Sequence, residues 1–280
     1  MNVVEDWLIR CLRGSVASII TLLFVSCAST TPKDIRVPSG QSTPIDDYSV
    51  IWHEASESCR GVSRLEFLGS FRGRVGDRTL RRTRLRAATA KPGALRLEGL
   101  APFGAPAFVL VARPEEAVLL LPRERQFIQN ESARDILHAL TGLALEPDEI
   151  RPLLTGCVVP EGEAISGRSY GNRWVSIGLS GDANVYVENV NTEWLIVFGT
   201  HRNLVVEYSG HVNGLPRSVR VQAGADPDRA DLTVDLAQVR VNTQFDPEVF
   251  LPVVPDDFGP VTLDELRSQP PTDDRAARLR

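Results

Sequence analysis

The sequence lacks a hydrophobic run long enough to span a bilayer as a helix. Its N-terminal apolar stretch extends only from Val16 to Val25, with Ser18 and Thr21 inside it, whereas a spanning helix needs about 20 predominantly apolar residues. An excess of positive charge is also absent, because the formal net charge is -5. Proteins that bind nucleic acids are usually basic, so the composition argues against that class of partner.

The sequence also lacks the motifs of common catalytic and metal sites. No Walker loop or dinucleotide fingerprint occurs, and the segment Gly178-Leu179-Ser180-Gly181 is one residue short of a nucleophile elbow. None of the four histidines has a ligand spacing to Cys, Asp or Glu; they are His53, His138, His201 and His211. We therefore expect no enzymatic activity, no cofactor and no metal ion.

The short N-terminal apolar run has the form of an export signal. Its end, Val25-Ser26-Cys27, follows the lipobox pattern of a lipoprotein, with Phe24 in place of the usual leucine. This pattern predicts a signal peptide over residues 1–26 and acylation of Cys27, whose fatty chains would anchor the protein. The alternative is an ordinary signal with an incidental cysteine. In the Gram-negative lipoproteins that this segment resembles, an Asp after the cysteine favours retention in the inner membrane. Ala28 stands there instead, so we expect the periplasmic face of the outer membrane.

Composition divides the rest of the chain into a tether, a folded part and a tail. The segment from Cys27 to Pro44 is rich in Ser, Thr and Pro and has no apolar period, which predicts a flexible tether. Residues 45–268 are then the folded domain. Residues 269–280 are predicted to be disordered.

Cys59 and Cys157 are the cysteines left for the folded domain. In an oxidising periplasm a disulfide between them is the natural expectation. Two independent buried thiols are the alternative, because the sequence does not reveal whether the two Cα atoms approach within about 7 Å.

Four segments have the pattern of a helix. Ile45 to Cys59 places apolar residues at helical intervals, Ser132 begins a segment that stops at Gly142, Glu146-Pro147 begins one that stops near Gly156, and Thr262-Leu263-Asp264-Glu265 is a capping box. Strands are predicted where the apolar period becomes two: Leu65–Val75, Leu80–Ala90, Ala94–Leu100, Ala107–Ala112, Ala117–Leu121, Gln126–Gln129, Trp174–Leu179, Val185–Val190, Trp194–Phe198, Leu204–Ser209, Ser218–Gln222 and Leu232–Val241.

About a dozen short strands and few helices predict a mainly β, α+β fold. The economical arrangement is a single curved antiparallel sheet that forms a half-open barrel, with its mouth and edges covered by helices. Glycines inside the predicted strands, Gly69, Gly73 and Gly99, favour curvature or room for a ligand over tight packing.

Three segments, in this order, resemble the outer-membrane lipoprotein receptor family, the LolB-like proteins. They are the Trp-bearing first helix and strand (Trp52 to Val75), the segment Leu97-Glu98-Gly99-Leu100-Ala101-Pro102-Phe103-Gly104 before an apolar strand, and the helical pair from Ala133 to Gly156. The resemblance covers residues 45–160. The region from Gln244 onward is longer than that family requires.

The resemblance implies a protein that binds without covalent chemistry. An apolar half-barrel under a helical lid would hold the acyl chains of lipoproteins that a soluble, LolA-like periplasmic carrier delivers. The protein would then insert these lipoproteins into the outer membrane. The inward faces of strands and lid would form the hydrophobic cavity: Leu65, Phe67, Phe71, Leu95, Leu97, Phe108, Leu110, Leu119, Leu121, Ile136, Leu137, Leu140, Leu153 and Leu154. The alternative for each of these residues is an ordinary packed core.

The same resemblance implies a membrane-insertion turn at Pro102, Phe103 and Gly104. An aromatic side chain between Pro and Gly in a tight turn points outward, and an exposed Phe suits a membrane interface. The alternative is a Phe that closes one end of the barrel.

Two further interpretations remain open from the sequence. An arginine-rich hairpin, Arg72 to Arg86, is either a solvated strand exterior or a surface for phosphate head groups or an acidic carrier. Alternatively, the protein is an envelope sensor or scaffold that acts through protein-protein interaction. The interior of its sheet would then be filled by its own side chains.

Overall fold

One β-sheet of 15 strands makes up most of the computed structural model, which describes residues 37–101, 106–225 and 229–268. The helices are α1 (Tyr48–Arg60), α2 (Ala133–Thr141), α3 (Pro147–Thr155) and α4 (Leu263–Ser268), with a 3-10 turn at Pro247–Phe250. The strands are β1 (Thr43–Pro44), β2 (Arg64–Val75), β3 (Arg78–Ala90), β4 (Ala94–Leu100), β5 (Phe108–Arg113), β6 (Glu116–Leu121), β7 (Gln126–Ile128), β8 (Ala164–Tyr170), β9 (Trp174–Leu179), β10 (Ala183–Val190), β11 (Glu193–His201), β12 (Leu204–Ser209), β13 (Ser218–Ala223), β14 (Ala230–Val241) and β15 (Gly259–Pro260).

The sheet consists of two meanders that meet at one long strand pair. β2 to β7 form one meander and β8 to β14 the other, and β14 pairs antiparallel with β2 from Ala230↔Val75 to Val241↔Leu65. β1 continues the sheet beyond β8, and β15 pairs in parallel with β7. Among the described residues these two end strands do not pair with each other, so the sheet is open.

The predicted helix and strand positions are largely confirmed. α2 begins at a Ser132 cap, where the Asp135 amide donates to Ser132 Oγ at 3.0 Å, and it ends at left-handed Gly142. The Thr262 capping box is present, with the Thr262 amide donating to Glu265 Oε2 at 2.8 Å. The first helix begins at Tyr48 rather than Ile45, because Ile45 donates its amide to the Gly167 carbonyl in β8 instead.

Two edge elements differ from the sequence prediction. β8 (AISGRSY) has no clear alternation and was not predicted; its conformation depends on pairing with β9. The predicted tether to Pro44 is too long, because Thr43 and Pro44 pair with β8 and Arg168 Nε donates to Ser42 Oγ at 2.7 Å. Both end strands contain a proline, which cannot donate a ladder hydrogen bond and therefore discourages further pairing.

The strand glycines serve tight packing rather than ligand space, which corrects the expectation from the sequence. A Cβ on Gly69 would collide with the Asp235 carbonyl oxygen, and one on Gly73 with that of Asp231. Both carbonyls belong to β14, so these glycines allow the two meanders to approach closely. Gly99 lies against the ring of Phe108.

The main hydrophobic core lies between one face of the sheet and the helices. It includes Ile51 and Trp52 of α1, Ile136 of α2, Leu153 of α3, and inward-facing strand residues such as Leu110. The opposite face of β4 and β5 is covered by the segment after β14, where Arg96 Nη1 donates to the Val249 carbonyl at 3.2 Å. The extra length from Gln244 onward therefore gives these strands a second cover.

The buried hydroxyl of Tyr208 provides a test of this core. Tyr208 is 0% exposed, its hydroxyl has no hydrogen-bond partner in the described part of the chain, and burial raises its pKa. A buried unpaired hydroxyl costs about 1–3 kcal/mol. We expect Tyr208→Phe to leave the free energy of unfolding unchanged or to raise it by about 1 kcal/mol, measured by urea denaturation.

The matched control for Tyr208→Phe is Thr155→Val. The Thr155 hydroxyl is also buried but donates to the Arg151 carbonyl at 3.0 Å. Its loss should lower the free energy of unfolding by about 1 kcal/mol. A similar loss in Tyr208→Phe would contradict an unpaired hydroxyl.

A disulfide joins Cys59 and Cys157, with the Cα atoms 5.7 Å apart and 98 residues of separation. It connects the end of α1 to the residue that follows the C-cap of α3. Closing a loop of about 100 residues is worth up to about 4.7 kcal/mol on the chain-entropy account.

We expect Cys59→Ala/Cys157→Ala to lower the free energy of unfolding by about 2–5 kcal/mol, measured by denaturation. A double variant that is as stable as the unaltered protein would contradict the bond.

Candidate functional site

A cleft of about 920 Å³ opens between α1, α3, the β3–β4 turn and the segment that leads into β8. Its volume lies in the range of small-molecule sites, about 300–1,000 Å³. The cleft is lined by Ser49, Trp52, His53, Cys59, Arg60, Lys91, Pro92, Asp148, Arg151, Pro152, Pro160, Glu161, Gly162, Glu163 and Ala164.

The α1 wall is organised by Trp52. Its indole Nε1 donates to the Gly162 carbonyl at 2.9 Å, and its side chain is 3% exposed. Arg60, two turns later, lies over the ring with its guanidinium carbon 5.2 Å from the centroid and donates to the same carbonyl at 3.3 Å. These contacts attach the segment around Gly162 to α1 and hold the tryptophan in one orientation.

The α3 wall carries a buried arginine. Arg151 is 7% exposed, and its Nη1 donates to the Val62 carbonyl at 2.6 Å. Burial lowers the pKa of Arg151, while the negative charge of Asp148 acts in the opposite direction. An arginine side chain nevertheless stays cationic in a protein, so the cleft has a fixed positive charge in its wall.

The β3–β4 turn closes the cleft from the sheet side. It contains the cis peptide bond between Lys91 and Pro92. The next residue, Gly93, donates its amide to the Asp148 carboxylate at the beginning of α3, and its left-handed φ of 56° favours glycine. The turn is thus joined to the helix that carries Arg151.

The floor of the cleft is part of the hydrophobic core. Trp52 and Cys59 line the cleft and belong to the core cluster. The disulfide at Cys59 holds α1 and the end of α3 together below the opening. A ligand that entered the cleft would therefore meet apolar side chains as soon as it passed the polar rim.

All of the predicted cavity residues except Phe71 lie in or against this core, and none of them lines the cleft. Leu97, Phe108 and Leu140 are half-buried against the core cluster, and Phe71 is half-buried in β2. The other ten are buried: Leu65, Phe67, Leu95, Leu110, Leu119, Leu121, Ile136, Leu137, Leu153 and Leu154. In this conformation they pack against protein; their role in holding acyl chains stays a prediction that requires the helices to move.

Sequence reasoning missed Arg151 as a site residue. The available signal was a charged residue on the buried stripe of α3, between Pro147 and Leu154, which are both buried. A charge on such a stripe needs a partner or a function. The depth of the cleft could not be predicted, because its walls come from segments far apart in the chain.

Several predicted features lie outside the described residues. They are the signal peptide, the lipidation site Cys27, the turn Pro102, Phe103 and Gly104, and the tail at 269–280. These stay predictions. Within the described ranges, no helix is long and apolar enough to cross a membrane.

Part of the arginine-rich hairpin is an ion-paired exterior. Arg72 and Arg82 both pair with Asp235 of β14, and Arg86 lies 3.3 Å from the carboxylate of Glu98 in β4. These pairs favour the interpretation as a solvated strand face over a docking surface. In the part of the chain that the structure describes, no group of three or more His, Cys, Asp or Glu residues could hold a metal ion.

No family model matches this chain, and no curated protein matches it. Solved structures are similar to it at low identity. A LolA superfamily protein from Nitrosomonas europaea is 12% identical over 72% of this chain and 96% of that chain, with a TM-score of 0.49. A DUF1329 family protein from Desulfovibrio piger is 9% identical over 74% of this chain and 98% of that chain, with a TM-score of 0.48. A putative outer membrane lipoprotein-sorting protein domain from Vibrio parahaemolyticus is 10% identical over 72% of this chain and 94% of that chain, with a TM-score of 0.45. These similarities concern the fold of the chain and do not extend to the function of the protein.

Proposed function

We propose that this protein is a lipid-anchored outer-membrane lipoprotein that binds acyl chains and helps to receive or insert lipoproteins. The acyl chains would come from a LolA-like periplasmic carrier, and the turn at Phe103 would contact the membrane. The observation that supports binding is the cleft itself, about 920 Å³ in volume, whose floor includes Trp52 and Cys59 of the hydrophobic core.

Acyl binding would use the sheet and helices as a half-open barrel with a lid. The disulfide joins α1 to the end of α3, so these two helices would move together. α2 has weaker polar attachment: Arg78 donates to the Ala139 carbonyl at 3.5 Å, and Arg134 lies 3.5 Å from Glu146. We infer that displacement of α2 opens the core beneath it to an acyl chain.

The first prediction of this proposal concerns Leu140, which is half-buried on α2 against the core. The Cys27→Ser protein, exported to the periplasm, should bind a fluorescent fatty acid saturably. Leu140→Glu should weaken that binding at least about 10-fold, because burial of one leucine is worth about 1.5–3 kcal/mol. Fluorescence titration measures both.

The matched control is His138→Glu, which adds the same charge on the exposed side of α2. It should change the dissociation constant less than twofold, and circular dichroism should show that both variants are folded. Absence of saturable binding in the parent protein would refute acyl binding. Equal weakening in the two variants would refute the role given to Leu140.

The second prediction concerns the anchor. In a native host grown with labelled palmitate, the unaltered protein should carry label and fractionate with the outer membrane, since two or more acyl chains anchor stably. Cys27→Ser should be unlabelled and soluble in the periplasm. Cys11→Ser, the same change in the predicted signal peptide, should remain labelled. An unlabelled parent protein would refute lipidation.

A second candidate function is an envelope sensor or scaffold that acts through protein-protein interaction. The observation that favours it is the packing of the predicted cavity residues, of which Leu95, Leu110, Leu119 and Ile136 are fully buried. The fatty-acid titration separates the two functions, because a scaffold with a filled interior would give no saturable signal.

A further inference from the structure

We propose that the cleft recognises an anionic head group, a carboxylate or a phosphate, through the guanidinium of Arg151. This inference rests on the proposed function, since the anion would be part of the amphiphile whose chain reaches the core. It specifies the ligand class: an acyl compound with a negative charge at one end.

The first step is the unused hydrogen-bonding capacity of Arg151. A guanidinium has five N–H donors. In the described part of the chain, that of Arg151 makes one hydrogen bond, from Nη1 to the Val62 carbonyl. No ion pair within 4 Å joins it to a described carboxylate, although its side chain is buried and lines the cleft. The negative charge of Asp148 acts on it, but that carboxylate accepts the Gly93 amide and forms no ion pair with it, and a buried charge that is only partly compensated is costly.

Two other partly buried arginines of this protein, Arg220 and Arg96, behave differently. Arg220, with a side chain 20% exposed, donates to both oxygens of Asp231 and lies 3.7 Å from Glu207. Arg96 donates to Glu98 at 2.7 Å. Arg151 is more deeply buried than either and forms no ion pair with a described carboxylate, so its remaining N–H donors can serve an anion that enters the cleft.

The second step is the distribution of charge with depth. The acidic residues of the cleft, Asp148, Glu161 and Glu163, are exposed, and the Asp148 carboxylate already accepts the Gly93 amide. Charges at the rim are screened by water and salt, whereas a buried charge acts through a lower dielectric. Arg151 therefore decides which sign of charge is favoured in the depth of the cleft.

The third step is the position of the apolar surface. Trp52 and Cys59 line the same cleft as Arg151 and are buried in the core cluster. A carboxylate or phosphate accepts hydrogen bonds from a guanidinium in bidentate geometry, while the attached chain would lie on the tryptophan and continue toward the core. A free anion would use only the first of these two contacts.

The test compares a fluorescent polyene fatty acid with its methyl ester, which has the same chain and no charge. Titration of both into the Cys27→Ser protein at pH 8 should give binding at least about 10-fold tighter for the acid. Arg151→Gln removes the positive charge, keeps an N–H donor on the side chain and should reduce the preference to less than about twofold. Arg173→Gln should retain the preference, since Arg173 is 71% exposed and pairs with Glu188 outside the cleft.

The outcomes separate this inference from the proposed function. Equal binding of acid and ester to the parent protein would overturn the anion site and leave acyl binding intact, and this measurement needs no variant to fold. Binding of neither compound would overturn both. Displacement of the acid by inorganic phosphate at micromolar concentration would support the anion site with a free anion as its source, whereas displacement only by an acyl phosphate would support the lipid source.

Discussion

The pairing of β2 with β14 is the interaction on which the rest of the structure depends. It joins strands more than 150 residues apart in the chain, Leu65 with Val241 and Val75 with Ala230, and makes one sheet from two meanders. The pairing requires glycine at positions 69 and 73, where the carbonyl oxygens of Asp235 and Asp231 occupy the space of a side chain. Without it, the chain between β7 and β8, which contains α2 and α3, would have no common surface to cover.

The covered face then determines where a ligand site can form. α1 precedes the first meander and α3 precedes the second, and both pack on the joined sheet through residues such as Ile51 and Leu153. The disulfide fixes their distance at one end, while Gly162 and the Lys91-Pro92 turn separate them at the other. The cleft is the gap that these four segments leave, and Arg151 is buried there because it lies on the inner side of α3.

Local structure was predictable from the sequence, and the site was not. Ala94–Leu100 and the Ser132 cap depend on alternation and capping within a few residues, so the sequence contains the whole signal. β8 and the Thr43–Pro44 strand depend on partners elsewhere in the sheet. Leu110 and Leu119 were correctly placed on an inward face, but apolar periodicity reports burial and cannot reveal whether the buried space is filled by protein or by a ligand.

Strand β8, which pairs with the end strand β1, links the two proposed roles of the molecule. Thr43 and Pro44 pair with Ser169 and Arg168 near its end, so the chain that leads back to Cys27 leaves the sheet there. Ala164, at the beginning of the same strand, lines the cleft. Four residues of extended chain cover about 13 Å, so the mouth of the cleft lies within a short distance of the point where the chain leaves the sheet. The charged head and the acyl chain of the proposed ligand would therefore enter at this end of the sheet, beside Trp52 and Arg151.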